Sequence, residues 1–274
     1  MASANRRVLP GFSLTLGYTV FYLSILVLLP IAAIFFKTAT LSFAEFWSAV
    51  WTERARAAYY LTFGAAFVAA VANLVLGLLV AWVLVRYTFP GKKIVDSLVD
   101  LPLALPTAVG GLVYASLYVE NGWLGQYLVP LGIHGAYTRF AIVLVLIFVG
   151  LPFVVRTVQP VLEDVDPETE EASASLGATR WQTFRNVILP SLYPALITGF
   201  ALAFARGVGE YGSVVFVSGN MPYKTEIAPI LIVARLEEFA YGEATAIAVI
   251  LLVVSFAMLV VINVLERWSM RHEH

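Results

Sequence analysis

The chain has 274 residues, of which 60% are hydrophobic and 13% are charged, with a formal net charge of −1 and a mean hydropathy of +0.85. Soluble domains carry about 25% charged residues, so this composition excludes an ordinary soluble core and indicates an integral membrane protein. The near-neutral charge excludes the basic surface typical of nucleic-acid binding. Because cysteine is absent, the chain forms neither disulfides nor thiolate metal sites.

Long apolar runs recur along the whole chain. About 20 mostly apolar residues cross a bilayer core as a helix, whereas transmembrane β-strands are about 10 residues long with alternating polarity. That alternation is absent, so we predict an all-α integral membrane protein whose residues 1–274 form a single transmembrane domain with about six helices. The predicted spans are 12–36, 57–85, 97–119, 139–159, 191–217 and 243–265.

The first apolar run sets the predicted orientation. It follows Arg6 and Arg7, as in a signal peptide, but the charge-free run Phe12–Phe36 is longer than a usual signal core, which predicts an uncleaved span. With the N-terminus placed in the cytoplasm, the inner segments hold more Lys and Arg than the outer ones, Arg267 and Arg271 among them. The positive-inside rule therefore predicts that both termini are cytoplasmic.

A pair of tryptophans before the second span and a pair of prolines in the third span indicate local structure. Trp47 and Trp51 are typical of interfacial anchors, or alternatively belong to a short surface helix. Pro102 and Pro106 lie in the third span, where proline removes a backbone donor. We expect these prolines to kink or break that span.

The longest polar stretch is residues 160–190, which the orientation places in the cytoplasm. Asp166 followed by Pro167 is typical of a helix N-cap with proline at the first position. Three glutamates crowd the first turn, where the helix dipole favours negative charge: Glu168, Glu170 and Glu171. Gly177 suits the position just past the helix end, because it adopts positive φ without steric cost.

A second short helix is predicted over Ala178–Val187, with Trp181, Phe184 and Ile188 at helical spacing. Small residues on the first helix permit close approach by a partner, and an aromatic cluster on the second suits a pocket. We interpret the loop as a docking element. The alternative is an ordinary pair of amphipathic interfacial helices.

The loop carries a specific resemblance. Glu171-Ala172-Ser173, three residues, Gly177, nine residues, Val187, one residue and Leu189-Pro190 resemble the EAA loop of ABC importer permeases, E-A-A-x3-G-x9-I-x-L-P. Ser173 and Val187 depart from that pattern, and both replacements are conservative in size. The resemblance implies a MetI-like permease whose loop seats an ATP-binding subunit. The coupling residues would then be Glu170, Glu171, Ala172, Ser173, Leu176, Gly177, Ala178, Trp181, Phe184, Leu189 and Pro190.

The same resemblance implies partners. The chain has no G-x-x-x-x-G-K-[ST] phosphate loop, so we expect it to bind no cofactor and to hydrolyse no ATP itself. ATP and Mg would be used by a partner ATPase. Permeases of this kind work as two permease chains with two copies of an ATP-binding subunit, whose closure switches the pathway between outward and inward access.

A second resemblance concerns the substrate. The stretch DLPLALPTAVGGLVYASLY at Asp100–Tyr118 is similar to permeases of sulfate, thiosulfate and molybdate importers, and Phe204–Ala248 is similar to the sulfate/thiosulfate CysT type. This implies a multi-pass permease of the bacterial inner membrane. Its partners would be a CysW-like second permease in a heterodimer and an extracytoplasmic sulfate-binding protein.

Three alternatives stay open at the level of sequence. The first is a permease for molybdate or another oxyanion, because specificity in such importers rests largely on the external binding protein. The second is an ion-coupled secondary transporter, which needs no ATPase and often shows inverted repeats. The third is a membrane enzyme, for which Asp96 and Asp100 are the only close acidic pair at a span end.

The fifth predicted span contains an ionisable pair, Arg206 with Glu210 one turn later. A charged residue inside the membrane faces a cavity or a partner, and sulfate, as a dianion, needs hydrogen-bond donors to cross. We hypothesise that a translocation path or gate includes Arg206, Gly209, Glu210, Tyr211 and Ser213. The alternative is an ion pair that pins this helix to a neighbour. Glu210 argues against a tight sulfate site, because its carboxylate would repel the dianion.

Overall fold

The computed structural model describes residues 12–270, except the side chains of residues 13 and 265–270. Every regular element in this part of the chain is helical, and five segments are long and apolar enough to cross a membrane. The predicted all-α membrane fold is therefore confirmed. Arg6, Arg7, Arg271 and the side chain of Arg267 lie outside the described residues.

The helices follow in chain order. They are α1 Phe12–Leu23, α2 Leu29–Thr38, α3 Phe43–Val50, α4 Glu53–Arg86, α5 Lys92–Val99, α6 Leu101–Ala104, α7 Thr107–Tyr118, α8 Gly125–Leu128, α9 Arg139–Glu163, α10 Pro167–Ser175, α11 Arg180–Thr183, α12 Leu189–Val208, α13 Val214–Val217, α14 Ala228–Glu237 and α15 Tyr241–Met270. A π turn, Ser24–Leu28, joins α1 to α2, and a 3₁₀ turn, Val129–Leu131, follows α8.

The core is formed by α4, α9 and α12, which pack along one another. Glycines bring their backbones together, as small residues do between membrane helices. A Cβ at Gly77 of α4 would lie 2.7 Å from the Cβ of Val154 in α9, and one at Gly207 of α12 would lie 3.2 Å from the Cβ of Ala66 in α4. In contrast, the apolar window of Leu14–Thr38 buries none of its residues in this chain.

Helix α3 is a short surface helix, as one of the two sequence interpretations predicts. Ser42 and Glu45 form a reciprocal capping box at its start. Trp47 and Trp51 stack with ring centroids 5.5 Å apart on its exposed face, while Val50 is buried on the opposite face.

The third predicted span, 97–119, is not one continuous helix. Leu105, which precedes Pro106, is extended, with φ −80 and ψ 138, as expected for a residue before proline. Helices α5 and α6 therefore end before α7 begins, and α7 has 12 residues. The break expected from the prolines is confirmed at Pro106.

Two predicted boundaries around α12 are wrong. The helix expected over Ala178–Val187 begins at Arg180 and does not end at Val187, because α11 runs through a π turn, Phe184–Ile188, directly into α12. The π turn accommodates Pro190, whose ring removes a donor and would crowd an α-helical preceding turn. At the other end, the span predicted over 191–217 ends at Val208, and a turn separates it from α13.

Candidate functional site

The loop before α12 is built around α10, whose two ends are capped within the loop. The Asp166 side chain accepts a hydrogen bond from the backbone N–H of Glu168 at 2.9 Å. At the other end Gly177 has φ +82, and the N–H groups of Gly177 and Ala178 donate to the carbonyls of Ala174 and Ser173. This pair of bonds is a Schellman motif. The N-cap and C′ predictions for this helix are both confirmed.

One face of α10, its inner face, contacts α4 and α11. Glu170 forms an ion pair with Arg86, the last residue of α4. The Oγ of Ser173 lies 3.0 Å from the Oγ1 of Thr183 in α11. Helix α10 is therefore held both by α4 and by α11, which continues into α12.

An aromatic cluster lies beside these contacts. The rings of Trp181 and Phe184 stack at 5.5 Å, and Phe184 meets the edge of Trp82 of α4 at 5.4 Å. A cleft of about 500 Å³ opens between this cluster and α10, with Glu170 and Ala178 among its lining residues. Trp181 remains 67% exposed at the rim.

The outer face of α10 makes few contacts within this chain. Glu171, Ala172 and Gly177 are exposed, and Leu176 is 89% exposed. Leu189 and Pro190 lie apart from this surface, half-buried in the first turn of α12. The motif residues thus divide into an exposed face, an inner cleft and a helix start.

The second predicted site surrounds a buried carboxylate. Glu210 is 1% exposed, and its Oε1 accepts hydrogen bonds from the N–H and the Oγ of Ser213, each at 2.8 Å. Its other oxygen pairs with Arg206, whose side chain is 30% exposed. The pair joins residues four apart on one segment, so it does not itself pin this helix to a neighbour. Gly209 caps α12, and the Tyr211 side chain is partly exposed.

Glycine contacts, rather than the ion pair, join this turn to α7. A Cβ at Gly111 of α7 would lie 2.6 Å from the Cα of Ser213. A Cβ at Gly212 would lie 3.1 Å from the Cβ of Thr107, the first residue of α7. The turn with Arg206 and Glu210 therefore packs against the start of the broken third span.

Sequence reasoning missed an arginine clamp near the inner end of α9. Arg156 donates to both carboxylate oxygens of Asp100 at 2.9 and 2.6 Å, and to Asp96 Oδ1 at 2.6 Å. Both acidic residues considered for a membrane enzyme are thus engaged by one guanidinium. The spacing of four between the two Asp residues was the available signal, because it puts both on one helix face.

These features define a class. They are those of a multi-pass membrane protein with an exposed loop surface that could dock a separate subunit. The family model described as "Binding-protein-dependent transport system inner membrane component" matches residues 73–271, and the chain belongs to this family.

Its relatives are similar over nearly their full length. The "Sulfate transport system permease protein CysT" of Salmonella typhimurium is 49% identical, covering 97% of this chain and 96% of that protein. The protein of the same name from Escherichia coli K12 is 48% identical over 97% and 96%, and that of Synechocystis is 50% identical over 93% and 89%.

Solved structures share the fold. A bacterial ABC transporter that imports the polysaccharide alginate matches with a TM-score of 0.77 and 18% identity, covering 93% of this chain and 94% of that one. The inward-facing MetNI methionine ABC transporter matches with a TM-score of 0.60 and 20% identity, covering 84% and 99%. The predicted MetI-like fold is therefore confirmed, and the chain is a multi-pass inner-membrane component.

Proposed function

We propose that this chain is the permease subunit of an ATP-driven importer of sulfate and thiosulfate. The observation that carries the proposal is the identity of about half over nearly the whole length of relatives named as sulfate permeases. The exposed face of α10 supports the coupling part of the proposal. Two caps and two contacts on the opposite face hold this surface in one orientation.

The proposed energy source is a separate ATPase. The sequence contains no phosphate-loop motif, so ATP and Mg would be bound by two partner subunits, each seated on one permease. A CysW-like second permease would complete the pathway, and an extracytoplasmic sulfate-binding protein would deliver the anion. This chain would contribute half of the pathway and one of the two docking loops.

The proposed docking surface is the exposed face of α10. Leu176 offers an apolar contact, and Glu171 offers a carboxylate to a basic group of the ATPase. Glu170 belongs to the inner face instead, because its carboxylate is already paired with Arg86. The two adjacent glutamates would therefore have different roles.

The proposed path includes the turn that follows α12. Arg206 is partly exposed and Tyr211 is open to solvent in the single chain, so both can present hydrogen-bond donors to a dianion. Glu210 neutralises much of the arginine's charge. A neutralised pair favours passage over tight binding, which suits a gate better than a storage site.

The test is oxyanion-stimulated ATP hydrolysis by the complex purified with its natural partners. Binding protein preloaded with sulfate, thiosulfate or molybdate is added separately. We expect sulfate and thiosulfate to raise the hydrolysis rate over the unloaded protein. Stimulation by molybdate alone would make the chain a molybdate permease, and uptake that persists without any ATPase would indicate a secondary transporter.

A further inference from the structure

Helix α4 runs from one side of the predicted membrane to the other without interruption. Its 34 residues span about 50 Å at 1.5 Å per residue. Its neighbours in the core carry features that distort helices: α9 contains Pro152 and Pro160, and α12 contains Pro194 and follows a π turn. Prolines and π turns are the usual sites of helix kinks, and α4 is the one of the three core helices that has neither.

The inner end of α4 is tied to the docking loop. Arg86 pairs with Glu170 of α10, and the two side chains are only 24% and 30% exposed. The guanidinium also lies 5.5 Å from the ring centroid of Trp82, one turn earlier on α4. The ion pair therefore links α10 directly to the inner end of α4.

The outer end of α4 is tied to an external segment, Met221–Glu226. Arg54 donates to both oxygens of Glu226, at 2.8 and 2.7 Å, and the Glu226 side chain is 3% exposed. A bidentate, largely desolvated pair of this kind is directional as well as strong. About two turns further along α4, Thr62 Oγ1 accepts the N–H of Ala228 at 2.8 Å.

We propose that α4 is the lever that carries movement of the docking loop to the external segment Met221–Glu226, with Arg86 and Arg54 as positioning residues at its two ends. The inference rests on the proposed docking of an ATPase at α10. When α10 is displaced, the ion pair between Glu170 and Arg86 moves the inner end of α4 with it. Because α4 is continuous, its outer end moves with the inner one, and Arg54 carries Glu226 along.

The external segment can report that movement. Tyr223 is 54% exposed, and the chain contains no cysteine, so Tyr223→Cys accepts an environment-sensitive fluorophore applied from outside. The complex with the unsubstituted chain serves as the labelling blank. ATP added to the labelled complex is expected to change the fluorescence. Arg86→Glu is expected to abolish that change, and the swapped pair Arg86→Glu with Glu170→Arg is expected to restore it.

Arg235→Gln is the matched control. It breaks ion pairs with Glu238 and Glu243 that involve no residue of α4, so the ATP-dependent change should persist. Retention of the ATPase subunits is measured on every variant. The lever is supported if every variant retains the ATPase subunits while Arg86→Glu loses the ATP-dependent fluorescence change and the swapped pair restores it. An unchanged signal in Arg86→Glu overturns it, and so does release of the ATPase by that variant, which would make Arg86 a docking residue. Failure of docking itself is detected separately, by substitution of the exposed Leu176.

Discussion

Leu176→Ala tests whether the outer face of α10 docks a partner. The side chain is 89% exposed in the single chain, so its truncation leaves no cavity, and the fold should be as stable as before. If a partner covers it, the substitution removes about two to three buried carbon groups at about 0.8 kcal/mol each, or about 2 kcal/mol. That loss corresponds to about 30-fold weaker association.

The assay is retention of the ATPase subunits on the immobilised permease complex as the concentration of free subunit is lowered. Leu131→Ala is the control, because Leu131 is 74% exposed in the loop predicted to face outside. We expect Leu176→Ala alone to shift the midpoint, with the melting temperatures of both variants unchanged. An unshifted midpoint for Leu176→Ala would refute the assignment of this face as the docking surface.

Three further predictions concern packing, path and orientation. Gly111→Ala is expected to lower the free energy of unfolding by about 1–3 kcal/mol, because its Cβ would overlap the backbone of Ser213. Gly110→Ala should be neutral, because its Cβ would meet only a ring atom at 3.9 Å. Equal melting temperatures for the two variants would contradict the close packing. Arg206→Gln should reduce oxyanion uptake with subunit assembly intact, and unchanged uptake would remove this residue from the path. Ser175→Cys, at an exposed position in a chain without cysteine, should react with an impermeant maleimide only from the cytoplasmic side, and labelling from outside would reverse the orientation.

Features set by neighbouring residues were predictable. Asp166, Pro167 and Gly177 specify the start and end of α10 through local backbone geometry, and the structure places both ends as the sequence indicates. The break at Pro106 follows from the same kind of local rule. Charge-free runs likewise identify the long helices, because membrane burial requires length and apolarity alone.

Contacts between distant residues were not predictable. Arg54 and Glu226 are 172 positions apart, and Arg86 and Glu170 are 84 apart, so no spacing rule connects them. The error over Ala178–Val187 has a different cause. The helix predicted over Ala178–Val187 does not end there, because a π turn, Phe184–Ile188, carries it past Pro190 into α12. Pairing across the fold and such local adjustments depend on tertiary packing.

The arginine clamp at Arg156 has a consequence for biogenesis. Helix α7 has 12 residues, or about 18 Å, which is too short to cross a hydrocarbon core of about 30 Å by itself. The carboxylates of Asp96 and Asp100, at the other end of the same broken segment, are held by a side chain that the ribosome adds about 60 residues later. The contacts that hold the inner end of the third segment can therefore form only after Arg156 of α9 has been synthesised.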